Sequence, residues 1–180
     1  MTVTLNKLSE NELQIYNEAG YQQKHKGILN VDTSNEWLYQ NYKSIHNEYL
    51  NLFDRSNEDL IKIETLKRLI FLNWEFSVED SYFTGIEALD EASIAYSYKK
   101  LNEYIKEDKL DEEFKWMLSF YSSWDFVIFP YSENKLEELT SFVKKVDTSK
   151  INFPKKALNK GVMDNRGQMG IYWKELVEKD

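Results

Sequence analysis

Residues 69–78 read Leu69-Ile70-Phe71-Leu72-Asn73-Trp74-Glu75-Phe76-Ser77-Val78. The stretch is apolar on almost every side of a helical wheel. A helix of that kind is buried all round, and a surface helix would show a polar face. Its upstream neighbours Ile63, Leu66 and Ile70 lead to Trp74 in helical steps. The reading is therefore a central helix over 57–79, with other helices packed around it.

The same spacing recurs along the chain. Leu38, Tyr42, Ile45, Tyr49 and Leu52 step by four and three residues, and so do Ile94, Tyr98, Leu101 and Ile105. Phe114, Met117, Tyr121, Trp124 and Ile128 form another stripe, and Leu136, Leu139, Val143 and Val146 a fourth. Each stripe buries one helix face. The only strand candidate, 126–129, fits a helix end equally well. Six Gly and two Pro in 180 residues leave few helix breakers.

Helix starts are read from hydroxyl residues followed by Glu. Ser9 with Glu12, Thr33 with Glu36 and Thr84 with Glu87 have capping-box spacing, Ser56 with Asp59 is a shorter variant, and Ser132 precedes the stripe beginning at Leu136. The expected helices lie near 10–19, 34–54, 57–79, 86–107, 111–129, 133–146 and 167–178. Short links make neighbouring helices double back, so the fold expected is all-α: six to seven helices as antiparallel hairpins, in a bundle or a short HEAT-like stack. Trp74-Glu75-Phe76 is echoed fifty residues later by Trp124-Asp125-Phe126, which supports the stacked-hairpin alternative. The chain is read as a single domain over 1–180. Within it, 147–170 forms a loop-rich basic segment before a C-terminal helix.

Charge narrows the function. The formal net charge is -8, which repels phosphate backbones, and Arg occurs only at Arg55, Arg68 and Arg166. Nucleic acid is not the expected partner. With no Cys, thiolate chemistry and disulfides are impossible. No membrane-length apolar run and no secretory leader is read, so the expected location is cytoplasmic. Between Lys144 and Arg166, seven basic residues face Asp147 and Asp164. That segment either folds back on the acidic helices or holds an anion, and folding back needs no partner.

Catalytic signatures are sparse. Glu75 and Asp125 fall in apolar surroundings, and Glu79 shares a helix face with Glu75. Together they are the weak catalytic candidates, for acid/base work or a divalent metal. The plainer expectation is that Glu75 and Asp125 pair with neighbouring Lys, Tyr or Arg and fix helix register. His25 and His46 stand outside any Glu-x-x-His pair, and no zinc, phosphate-loop or dinucleotide motif occurs. No cofactor or metal is expected. His46 is read as a structural side chain, partly exposed or hydrogen-bonded.

Trp74, Trp124, Arg166 and Trp173 are the candidates for ligand or partner binding, because aromatic residues and Arg dominate interfaces. The function expected is a helical protein-interaction module, an acidic binder of immunity or adaptor type. The other reading is an enzyme, or a small-ligand or metal-binding protein, that uses the carboxylates.

Overall fold

The computed structural model describes residues 4–26, 34–147 and 161–178. Among them the chain is entirely helical between its turns. The elements are α1 (Leu5–Lys26), α2 (Ser34–Arg55), α3 (Asp59–Val78), the single turn α4 (Ser81–Thr84), α5 (Glu91–Lys106), α6 (Glu112–Tyr121), α7 (Asp125–Ser132), α8 (Glu137–Lys145) and α9 (Gly167–Glu178). Eight helices and one turn thus stand where six to seven helices are expected.

The central helix is the one its sequence marks. α3 touches α2, α4, α5, α7 and α9, and every residue from Thr65 to Trp74 is buried. Pairings along the first hairpin reverse in order, as they must across a link of three residues. His46 meets Asn73, Tyr49 meets Arg68 and Phe53 meets Lys62, so α2 and α3 run antiparallel. α1 repeats the pattern against α2: Glu12 meets Tyr49, and Ala19 lies with Tyr42 and Leu38 around Gly85. An aromatic cluster closes the far side of α3. Trp74 contacts Phe120, Tyr121, Trp124 and Tyr172 at ring-centroid distances of 5.1–5.7 Å. Trp116 and Trp173 meet edge to face at 4.6 Å. Such pairs add attraction beyond the area they bury, and they carry α6 and α9 onto α3.

Helix ends depart from expectation where a hydroxyl has two possible uses. α1 begins at Leu5, with Thr4 Oγ1 accepting from the Lys7 amide at 3.3 Å. Ser9 is not a cap. It lies inside the helix and its hydroxyl reaches the Asn165 carbonyl at 2.7 Å. α5 begins at Glu91 and not near 86. Asp90 caps it through the Ser93 amide at 2.8 Å, and Thr84 instead accepts from Ile86 N across the left-handed Gly85. The expected helix 111–129 is two helices. Ser122 donates to the Leu118 carbonyl at 2.7 Å, a back-bond that competes with the ladder, and α7 restarts after Trp124. Ser132 ends α7 and does not cap α8, which starts at Glu137. Its carbonyl accepts from the amides of Lys135 and Leu136, with Asn134 at φ 62° between the helices. Thr33, Lys150, Lys155, Lys156 and Lys160 lie outside the described residues.

Candidate functional site

The three candidate carboxylates do not assemble. Asp125 is exposed in the first turn of α7, where an acid favours the helix start. Glu79 is exposed just beyond α3. Glu75 is largely buried, and its Oε2 has no hydrogen-bond partner among the described residues. Burial, reinforced by the charge of Glu79, pushes its carboxyl up to about 8. The expected pairing with Lys, Tyr or Arg is not seen at Glu75 Oε2 among the described residues. At neutral pH the group keeps its proton, and a neutral carboxyl needs no counter-ion. Tyr16, Tyr42, Tyr121 and Tyr172 stand within range of its charge, and none carries the positive charge that would stabilise its ionised form. No group of His, Asp and Glu suited to a metal ion occurs among the described residues.

The densest polar chemistry lies elsewhere, between α1, α3, α6 and the start of α9. Arg166 donates through Nε to Glu64 Oε1 at 2.8 Å, through Nη2 to Glu64 Oε2, and through Nη2 to Glu113 Oε1 at 2.7 Å. Lys67 donates to the same Glu113 oxygen and to Asp111, both at 2.7 Å. Asp111 in turn caps α6 by accepting from Phe114 N at 2.7 Å. Arg68 completes the set, donating to Glu64 at 2.9 Å, to Ser9 and to Tyr49. Lys67, Arg68 and Arg166 are all buried, so their charges must be matched in place. The arrangement holds Glu113 below the usual carboxylate range, because two cations donate to it.

A second chain of bonds continues from Arg68. Tyr49 accepts from Arg68 and donates to Glu12 Oε2 at 2.6 Å, while Glu12 Oε1 accepts from Gln168 N at 2.7 Å. Gln168 then donates to the Tyr42 hydroxyl. A third joins α2, α3 and α5. Asn73 Nδ2 donates to Ser97 Oγ at 2.7 Å, so its Oδ1 faces His46 Nε2 at 2.8 Å and must accept from it. That fixes His46 as the neutral Nε2–H tautomer. Burial pushes its pKa down to about 4, in line with the structural role expected for it. The ion cluster reaches one of the grooves described below through Asp111, whereas the Glu12 and His46 networks line neither.

The candidate binding residues divide. Trp74 and Trp173 are core residues, with Trp173 Nε1 donating to Tyr121 at 3.2 Å. Trp124 is half-buried against Trp74 and Phe120. Arg166 is the clamp already described. Large apolar side chains on the outside are instead Leu60 at 83 % exposure, Phe126 at 59 % and Trp37 at 49 %. Sequence reading gave Leu60 no exposed role: it lies three residues before Ile63, in step with the Ile63–Trp74 stripe, so periodicity alone points to burial and offered no signal of its exposure.

Two of these side chains line grooves. One groove, of about 370 Å³, runs between α1 and α2. Leu8, Ile15 and Ile45 line it with Trp37, and its polar lining is mainly amides, Asn11, Gln14 and Asn41. The other, of about 330 Å³, lies where α3 starts and α5 turns into α6. Leu60, Ile63, Tyr104 and Leu110 give it an apolar lining, and Asp59, Asp108, Asp111 and Lys109 a charged one. Comparison with known proteins adds no functional argument: no family model, no curated protein and no solved structure matches this chain. No helix among the described residues is long and apolar enough to cross a membrane.

Proposed function

We propose that this chain is an acidic protein-interaction module, of immunity or adaptor type, that binds a more basic partner in the cytoplasm. The observation that carries the reading is the division of chemistry between inside and outside. The buried cations Lys67, Arg68 and Arg166 and the Glu12 carboxylate are engaged in joining helices, whereas Leu60, Phe126 and Trp37 stand exposed on a chain of net charge -8. Exposed large apolar groups set among acids favour a partner that is apolar at its centre and basic at its edge. The alternative, an enzyme or a small-ligand or metal-binding protein using Glu75, Glu79 and Asp125, draws support only from the unpartnered Glu75 oxygen. Exposed Asp125, and the absence of Glu75, Glu79 and Asp125 from the lining of either groove, weigh against it.

The test is site-specific photo-crosslinking in intact cells of the native host. A photoreactive amino acid replaces Leu60, Trp37 or Phe126 in turn, with exposed Ala92 as the control position. The reading expects a discrete protein adduct at one or more of the three positions and none at 92, followed by salt-sensitive binding of the purified pair. Adducts no stronger than those at position 92 overturn it.

A further inference from the structure

We infer that the groove between the start of α3 and the α5–α6 turn receives a short basic segment of the partner, one large apolar side chain flanked by Lys or Arg; this rests on the interaction-module reading. The apolar lining is preformed. Leu110 is buried, Ile63 half-buried, and the Tyr104 ring packs on Phe53 at 5.8 Å. Leu60 projects beside them at 83 % exposure, uncovered among the described residues. At about 330 Å³ the groove stands at the small end of ligand-sized cavities. That suits an inserted side chain better than a folded domain surface.

The charges around it select the flanks. Asp111 is already committed to Lys67 and to the α6 amide. The groove's own cation, Lys109, is held by Glu107 at 2.5 Å with its nitrogen over the Tyr104 ring. Two further carboxylates stand there. Asp59 sits in the first turn of α3 within range of Lys109, and Asp108 is 92 % exposed and held only by a long 3.9 Å pairing with Lys115. Asp108 occupies a left-handed turn, φ 49°, that fixes its position. A basic segment meets both, and an acidic one meets repulsion at the same points. The α1–α2 groove lacks this selectivity, since amides form most of its polar lining.

The experiment is a chemical-shift titration of the isotopically labelled full chain with three pentapeptide probes: Lys-Lys-Leu-Lys-Lys, Glu-Glu-Leu-Glu-Glu and Lys-Lys-Ser-Lys-Lys. The first is expected to move amides in 59–63 and 104–111 and to saturate, with the other two far weaker. D59N/D108N is expected to weaken the first probe by about tenfold, and L60S to weaken it without altering its salt dependence. The charge-matched control E133Q/E137Q, on exposed positions of another face, should stay within about twofold. Unaltered spectra in the unbound variants establish that they fold. Equal binding of the acidic probe, shifts centred elsewhere, or an unaffected D59N/D108N overturns the inference. If that happens while positions 37 or 126 still give adducts, the interaction reading stands without this groove. If none of 37, 60 and 126 gives an adduct, both fall.

Discussion

Glu12 caps a helix that begins 155 residues after it. Its Oε1 accepts from Gln168 N at 2.7 Å, placing a carboxylate from α1 on the positive end of α9. The approach is possible because Gly167 has no side chain. A Cβ there would come within 2.6 Å of Glu12 Cδ, and the residue sits at φ 62°. G167A should therefore cost about 2–3 kcal/mol, from left-handed strain and displacement of the cap, and lower the melting temperature by about 5–10 °C. E12Q should cost about 1–3 kcal/mol, because both carboxylate oxygens receive donors and an amide offers one acceptor. Thermal melts of the two variants and the double variant check this. The pair should be strongly non-additive, since both changes break the same contact.

Arg166 is the other anchor of that helix. It holds Glu64 on α3 and Glu113 on α6 at once. R166M leaves both acids partly buried beside a missing cation and should cost about 3–5 kcal/mol. R166K keeps the charge but not the two-pronged grip on Glu64 and should fall between. Hydrogen exchange distinguishes a clamp from a general stabiliser: amides of 167–178 should exchange faster well before those of α2. Glu113 is held below its ordinary range of about 4.5, so its contribution is present above that value and lost as pH falls through its folded pKa. In R166M the acid limb of the stability curve should flatten.

The centre of the fold was legible because α3 has no polar face between Leu69 and Trp74 except Asn73. Antiparallel neighbours followed from short links. Helix ends were less legible, since Ser9 and Ser132 have the right chemistry for caps and are used for tertiary and turn contacts instead. The break at Ser122–Trp124 was hidden by periodicity, because Trp124 still faces the aromatic cluster. The echo of Trp74-Glu75-Phe76 at Trp124-Asp125-Phe126 spans unlike settings, one inside a helix and the other across a helix start. The ion cluster had one faint sign. Arg is rare here, and two of the three Arg residues are buried on one Glu64. The partner of Glu12 had none, because an amide 156 positions away leaves no trace in local spacing.

His46 and Asn73 set the acid side of stability. His46 is neutral in the fold with its pKa lowered to about 4 from 6.5, so the unfolded chain takes up its proton first. The contribution is complete above about 6.5 and is lost as pH falls toward 4, on the order of 3 kcal/mol over the window. The His46 imidazole resonances should titrate near 4 in the native protein. N73L removes the acceptor for His46 and the donor to Ser97, and should lower stability by about 2–4 kcal/mol with the fold retained. A native His46 that titrates near 6.5 would show the ring to be solvated.

Glu75 acts in the opposite direction. Its folded pKa is raised from 4.5 to about 8, so the native state binds its proton more tightly than the unfolded chain does. Stability from this group is whole below about 4.5 and is lost as pH climbs to about 8. Between about 4.5 and 6.5 the loss opposes the gain from His46, and above 6.5 it acts without that offset. E75Q keeps the shape and cannot ionise. It should match the parent near pH 5 and exceed it at pH 8 by about 3–5 kcal/mol at most, visible as a melting temperature that no longer declines across that range. D125N, at an exposed helix start, should leave the alkaline limb in place. Because Glu75 lines neither groove, adducts at positions 37 and 60 should survive E75Q. A variant whose pH profile is unchanged while its partner binding disappears would move Glu75 from the interior of the fold to the working surface.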